Sequence, residues 1–268
     1  MTLLEYPYIS PEAGGFLGFL CAVFETYNLK LRDPGFRCAG GPVKGPLSAA
    51  SPSPGLFDEA VSVPFSADRA ERAGEGIRER GGTETWPAIL RAFLSDMEDR
   101  EETIFRFIRI LMDGGGPGTI DRLDIPAAVR VRRGACRTAN EAHKFLGILR
   151  FRKHGNLYYA PIQPGCRVLP LIAQHFRTRF RDQDWVIHDI GRSEALFWDR
   201  ETLTFETGVS VEKGRFRDED DFYEGLWKTY FSAAAIAERK NLELQRKFVP
   251  LKYRSNMTEM SGGHGAGG

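Results

Sequence analysis

Apolar residues recur at helical spacing through the first half of the chain. Residues 14–28 show this pattern after a glycine pair and predict a short buried helix. Residues 67–80 predict an amphipathic helix, and residues 85–112 predict two helices separated near residues 98–101. Residues 32–54 are rich in proline and glycine, which predicts a long loop before these helices.

Two more helices are predicted in the middle of the chain. Residues 121–130 carry Pro126 where the first turn of a helix tolerates it, which predicts a short helix. Thr138 and Glu141 have the spacing of a capping box, so a separate helix is predicted to begin there and to cover residues 138–145.

Alternation of apolar and polar positions marks the second half. Residues 148–152 and 157–162 predict the two strands of a hairpin. Strand geometry would place Arg150 and Arg152 on the outer side of the first strand, opposite its apolar side chains. Further strands are predicted at residues 61–64, 185–190, 194–199 and 203–207, and further helices at residues 168–180 and 218–240.

The order of these elements predicts an α+β fold, with a mostly helical N-terminal half followed by an antiparallel sheet flanked by helices. The sheet is predicted to be antiparallel because the connections between strands are too short for parallel crossovers. We predict an N-terminal α/β region with a long Pro/Gly loop at residues 1–84, an α+β domain with a helical entry at residues 85–260, and a disordered Gly-rich tail at residues 261–268.

The chain lacks the common signatures of bound cofactors and metals. Its four cysteines form no C-x-x-C pair, and it has no P-loop, no dinucleotide fingerprint, no G-x-S-x-G and no H-E-x-x-H. We therefore predict no cofactor and no metal. The N-terminus has no basic region typical of a signal peptide, and no apolar stretch is long enough for a membrane span, so a reduced cytoplasmic setting is predicted.

Charge adds a local feature to a chain whose net charge is only +1. Eight cations between residues 130 and 153 surround the single acid Glu141, which favours a binding surface for a polyanion, nucleic acid first. A solvated helix and hairpin edge explains the charge equally well. Residues 238–254 form a second basic stretch. The predicted nucleic-acid-binding residues are Arg130, Arg132, Arg133, Arg137, Lys144, Arg150, Arg152, Arg192, Arg239, Arg246 and Lys252.

Histidines are the candidates for catalysis. His188 and Asp189 lie at the end of a predicted strand, and His143 lies on a predicted helix. Neighbouring residues in a strand point to opposite faces, so His188 and Asp189 are not expected to pair with each other. Structural hydrogen bonding or phosphate contact is the alternative role for His188. His175 is predicted to lie in the core, on the inner side of its helix.

Several strings of the sequence, taken together, resemble one family of uncharacterised bacterial proteins. The strings are GGFLGFLCAVFETY, NEAHKFLGILRF, LYYAPIQP, VLPLIAQHF, DQDWVIHDIGRSEAL, AIAERKNLELQ and KYRSNMTEM. Members of that family are described as DNA metabolism or DNA repair proteins. The resemblance implies a gene neighbour that is a radical S-adenosylmethionine (radical SAM) protein of DNA-modification type. Some members are fused to a uracil-DNA glycosylase-like domain, and we expect this chain to represent the unfused form. The resemblance assigns no active site.

Three functions follow as hypotheses. The first is a DNA-binding accessory factor that acts in DNA repair or modification with the radical SAM partner. The second is a DNA-processing hydrolase, of nuclease or glycosylase type, whose active site would contain His188 or His143 with a carboxylate such as Asp189. The third is a protein-interaction scaffold whose basic face binds an acidic partner.

Overall fold

Helices and strands alternate along the part of the chain that can be described. The computed structural model describes residues 2–9, 13–40 and 59–209. Its helices are α1 (Phe16–Asn28), α2 (Ala67–Gly81), α3 (Thr85–Phe93), α4 (Arg100–Met112), α5 (Pro126–Ile148) and α6 (Leu169–Arg179). Its strands are β1 (Thr2–Pro7), β2 (Gly35–Ala39), β3 (Glu59–Ser62), β4 (Arg152–His154), β5 (Leu157–Ile162), β6 (Asp184–Asp189), β7 (Glu194–Trp198) and β8 (Leu203–Thr207).

This mixture confirms the predicted α+β class, although the N-terminal half also contains a sheet. Strands β2, β1 and β3 lie side by side in that order, and both pairings are parallel. The prediction of an unbroken loop at residues 32–54 was wrong at β2, which pairs with β1 along its whole length. The α1 helix connects these two strands, so the ladder of β2 depends on a partner that is distant in sequence.

A single helix of 23 residues, α5, replaces the two helices predicted at residues 121–130 and 138–145. The capping box was a wrong interpretation, because the Thr138 hydroxyl donates to the Gly134 carbonyl at 3.0 Å inside the helix. Val131 and Ala135 continue the buried face across the predicted gap. A Cβ at Gly134 would lie 3.2 Å from Ser95 Oγ, so this glycine lets α5 approach the end of α3 closely.

The C-terminal sheet has the order β4-β5-β6-β7-β8. Three of its pairings are antiparallel, as predicted, but β5 and β6 are parallel. The prediction of a wholly antiparallel sheet was wrong at this pair because α6 supplies the crossover that a parallel pair needs. Phe176 on α6 packs beside Trp185 on β6 in the core beneath this sheet.

The predicted hairpin exists, but its first strand begins later than expected. Ile148 still belongs to α5, and β4 starts only at Arg152. Arg150 therefore lies in the connection between helix and strand, where its guanidinium donates to the carbonyls of Gly147 at 2.7 Å and Leu149 at 3.0 Å. The prediction that Arg150 and Arg152 share one face of a strand was wrong.

Three details complete the comparison with the predicted elements. His175 is exposed and not on the inner side of α6, so its predicted core position was wrong. No helix among residues 2–9, 13–40 and 59–209 combines the length and apolar character needed to cross a membrane. The helix predicted at residues 218–240 and the tail predicted at residues 261–268 lie outside the described residues.

Candidate nucleic-acid interface

The exposed side of α5 carries most of the predicted cations. The helix buries its other side against α3, α4 and α6, so its exposed residues fall within about half of its circumference at roughly 100° per residue. We call this surface the α5 outer face. Its polar members are Arg130, Arg132, Arg133, Arg137, Asn140, His143 and Lys144.

Three of the arginines on this face have acidic partners on neighbouring segments. Arg130 pairs with Asp99 and Arg137 with Asp96. Arg132 lies 3.4 Å from Asp121. All three pairs are largely exposed on the arginine side, where an ion pair contributes little to stability and screening by salt is strong. These acids lie beside the guanidinium groups and reduce the local positive charge.

Arg133, Lys144 and Asn140 differ from these arginines. No ion pair or hydrogen bond of their side chains occurs within the described part of the chain. As far as the described residues go, Arg133 and Lys144 are consequently exposed cations whose hydrogen-bonding capacity is not used by the protein itself. Such groups can bind a phosphate without first breaking an internal ion pair.

Glu141, the single acid in this run, is turned away from the cations. Its carboxylate accepts hydrogen bonds from the backbone N–H groups of Gly165 at 2.8 Å and Cys166 at 2.6 Å. Burial raises the pKa of Glu141, but these two hydrogen bonds outweigh burial and hold the pKa below its ordinary value. The ionised carboxylate thus anchors the loop before α6 onto α5 and does not pair with Arg133 or Lys144.

The remaining predicted cations fall into different environments. Arg152 and Arg150 are exposed beyond the end of α5. Arg192 is directed inward, where its guanidinium donates to the Asp189 carboxylate at 2.9 Å and to the carbonyls of Pro164 and Gly165. These bonds occupy the guanidinium of Arg192, so its geometry favours a structural role. Arg239, Arg246 and Lys252 lie outside the described residues.

His188 is buried on β6 with both ring nitrogens hydrogen-bonded. Nε2 lies 3.2 Å from the Val209 carbonyl oxygen, and Nδ1 lies 2.9 Å from the Tyr159 hydroxyl. A carbonyl oxygen can only accept, so Nε2 carries the proton and Nδ1 accepts from Tyr159. Burial lowers the pKa of His188, which keeps the ring neutral. This arrangement favours the structural alternative for His188.

Asp189 and His143 do not join His188 in one site. Asp189 is fully buried, and its carboxylate accepts from Arg192 and from the backbone N–H of Gly191 at 3.1 Å. Burial raises the pKa of Asp189, although Arg192 opposes this shift. His143 is exposed on α5. The expectation that His188 and Asp189 would not pair with each other is confirmed.

Two features of the site escaped the sequence interpretation. Asn140 lies between Arg137 and Lys144 on the α5 outer face, but it carries no charge and so did not stand out. Helical spacing was the signal that could have identified it, because residues 133, 137, 140 and 144 repeat at intervals of four and three. The acidic partners of the arginines also escaped notice, since they belong to segments that only the fold brings to α5.

Comparison with known proteins places the chain in a family without assigning it an activity. A family model described as a domain of unknown function, DUF4130, matches residues 98–259, more than half of the chain. The chain belongs to the DUF4130 family. No curated protein and no solved structure matches it significantly. The DUF4130 match includes the whole of α5, and so it covers the α5 outer face and His188 alike.

The neutral, buried His188 predicts a pH-dependent stability. An unfolded histidine gains a proton below about pH 6.5, whereas the buried ring resists protonation until the pH is lower. The unfolded state then binds more protons, so the free energy of unfolding should fall by up to about 1.4 kcal/mol per pH unit as the pH drops from about 6.5 to the folded pKa. Urea unfolding of the protein between pH 5 and 8 measures this slope.

His188→Gln should remove this part of the slope, since glutamine does not titrate. His143→Gln is the matched control, because it makes the same substitution at an exposed histidine. Equal slopes for the protein and for His188→Gln would show that His188 is not held neutral by burial.

Proposed function

We propose that this member of the DUF4130 family is a cytoplasmic DNA-binding accessory factor in DNA repair or modification. The α5 outer face holds the DNA backbone, and a radical SAM protein carries out the chemistry. The observation that carries the proposal is a pair of exposed cations, Arg133 and Lys144, that have no partner among the described residues and lie on a helix whose single acid is turned inward. The radical SAM partner and the repair context come from the family resemblance of the sequence strings.

The geometry supports binding better than catalysis within the described residues. The three candidate catalytic residues are not assembled into one site. His143 is exposed on α5, and His188 and Asp189, although adjacent in β6, have their hydrogen-bonding atoms occupied by other partners. A surface depression borders α5, and its described lining runs from Arg133 to Ile148 without either histidine. A charged, open surface of this kind is typical of backbone contact with nucleic acid. The four free cysteines fit the reduced compartment proposed for the protein.

Removing the two free cations should weaken DNA binding and its salt dependence together. Each phosphate contact adds about 0.9 to the slope of log affinity against log salt, which corresponds to about eight-fold in affinity at 0.1 M salt. Arg133→Gln with Lys144→Gln should therefore weaken binding by about 60-fold and lower the slope by about two. Fluorescence anisotropy with a labelled oligonucleotide at several salt concentrations measures both quantities.

Two further variants sharpen this test. Arg72→Gln removes one positive charge from the exposed side of α2 and should leave the affinity almost unchanged. Asp121→Asn releases Arg132 from its acidic partner and should strengthen binding with a steeper slope. The proposal fails if the full-length protein does not bind DNA at low salt, or if the double variant binds like the Arg72 control. If polyglutamate bound as tightly as DNA, and bound through the α5 outer face, the result would favour the hypothesis of a protein-interaction scaffold.

A further inference from the structure

The α5 outer face has a centre and two flanks that differ in chemistry. At roughly 100° per residue, Asn140 lies about 180° from the middle of the buried side of α5, and Arg133 lies only about 20° from Asn140. These two residues form the centre of the face. Lys144 lies beside them, about 40° from Asn140.

The flanks carry the remaining polar side chains. Arg130 and Arg137 lie about 60–80° to one side of Asn140, and Arg132 and His143 lie about 60–80° to the other side. The arginines of both flanks are the ones held by Asp96, Asp99 and Asp121. Within the described ranges, the α5 outer face therefore has ion-paired cations on its two edges and hydrogen-bonding side chains without a partner along its middle.

This division matches what a helix needs to enter the major groove of a DNA duplex. The groove is about 12 Å wide and an α-helix with its side chains is about 10–12 Å across, so the flanks of the helix meet the two phosphate backbones and its centre meets the bases. Duplex DNA is therefore the substrate class that fits this face best.

The residue types at the centre also fit base recognition. Arginine donates two hydrogen bonds to guanine O6 and N7, and asparagine makes a bidentate pair of hydrogen bonds with adenine N6 and N7. Arg133 and Asn140 are seven residues apart, about 10.5 Å along the axis, which spans about three base pairs. Gly147 lies on the same side of the helix, one turn beyond Lys144, and has no side chain; no described atom lies within 4 Å of the position that a Cβ would take there.

We infer that α5 reads duplex DNA from the major groove, with Arg133 and Asn140 as the residues that determine specificity and the two flanks as phosphate contacts. This inference rests on the proposed function, because it names the form of DNA that the α5 outer face binds. It adds that the neutral Asn140 contributes to sequence preference without contributing to salt dependence. Lys144 has the opposite property, since a lysine at the edge of the centre serves the backbone. Arg133 contributes to both, because its guanidinium brings a positive charge into the groove between the two phosphate backbones.

The test uses the full-length chain and a randomised 20-base-pair duplex library, followed by anisotropy with the selected duplex and with each of its single strands. The expected result is a selected site that contains guanine and adenine about three base pairs apart and a clear preference for the duplex. Asn140→Ala should lower the discrimination at the adenine by about five-fold or more and keep the salt slope. Asn140→Gln should preserve this discrimination, because glutamine also pairs with adenine.

Lys144→Gln is the matched control on the next turn of the same helix. It should reduce the salt slope by about one and leave the selected sequence unchanged. Salt-dependent binding with no selected sequence, with a preference for single strands, or with discrimination that Asn140→Ala does not alter would overturn the inference and leave the proposed function standing. Absence of binding to any DNA would overturn both.

Discussion

Glu194→Ala is expected to lower the free energy of unfolding by about 3–5 kcal/mol. The Glu194 carboxylate on β7 accepts from the Tyr8 hydroxyl at 2.7 Å and from Arg167 Nε at 3.1 Å. The Arg167 side chain is 11% exposed and that of Glu194 is 6% exposed. Without the carboxylate, the Arg167 guanidinium would stay buried without a counter-charge, which is the costly arrangement.

The pKa of Arg167 reflects this balance. Burial disfavours the charged guanidinium, but the Glu194 carboxylate outweighs burial and holds the pKa of Arg167 above its ordinary value. Arg167 also donates to the Gly14 carbonyl at 3.1 Å, in the turn that leads into α1. One guanidinium thus links the turn before α1 to β7 of the C-terminal sheet.

Urea unfolding at pH 7 measures the effect of Glu194→Ala. Two other variants test whether the loss of stability comes from the unpaired buried charge. The double variant Arg167→Met with Glu194→Leu should be less destabilised than Glu194→Ala alone, because no unpaired charge is left buried. Arg200→Gln breaks an ion pair with Asp184 in which the arginine side chain is 60% exposed, and it should cost less than about 1 kcal/mol. A loss for Glu194→Ala no greater than that for Arg200→Gln would contradict the role of the buried pair.

The elements that were predicted well are those whose shape is determined by local periodicity. The helices α1 to α4 and the strands β6 to β8 each show their buried face within their own sequence, and short turns join the last three strands. Hydrophobic spacing is sufficient for α2 and α4 because one face meets the core and the other meets solvent. The strands β6 and β7 are buried on both faces, and their short apolar runs are the signal that predicts them.

The predictions that were wrong depended on residues distant in sequence. Thr138 and Glu141 have the spacing of a helix start, but the donors that Glu141 binds belong to Gly165 and Cys166, more than twenty residues away. The strand β2 has little strand character of its own and forms on the edge of β1. Tertiary hydrogen bonds override local signals in both cases.

In the candidate site too, features that are local in sequence were predicted and features that depend on distant residues were missed. Charge clustering alone identified the cations of α5, because they lie close together in one segment. Their pairing with Asp96 and Asp99 depends on the loop between α3 and α4, so the sequence did not reveal that Arg133 differs from Arg130 and Arg137. The proposed DNA binding depends on which cations have acidic partners among the described residues. That difference becomes visible only when α5 is packed against its neighbours.

Gly18→Ala is expected to destabilise the protein by about 3 kcal/mol or more. Gly18 lies in the first turn of α1, and a Cβ at this position would be 2.1 Å from the Pro7 carbonyl oxygen and 3.1 Å from the Tyr6 ring. Its backbone angles are helical, so closeness to β1 and not conformational freedom is the reason for glycine. The carbonyl belongs to the backbone and has no rotamer with which to avoid the added methyl group, so α1 would have to move away from the parallel sheet.

Gly76→Ala on α2 provides the matched control for this substitution. A Cβ at Gly76 would meet only the Met112 methyl group at 3.5 Å, an ordinary contact. Alanine favours a helix over glycine by up to about 1 kcal/mol, so Gly76→Ala should stabilise the protein. The same substitution of alanine for glycine is thus expected to lower the urea unfolding midpoint at Gly18 and to raise it at Gly76. If both variants shifted that midpoint upwards, α1 could not pack against β1 as closely as the parallel βαβ unit requires.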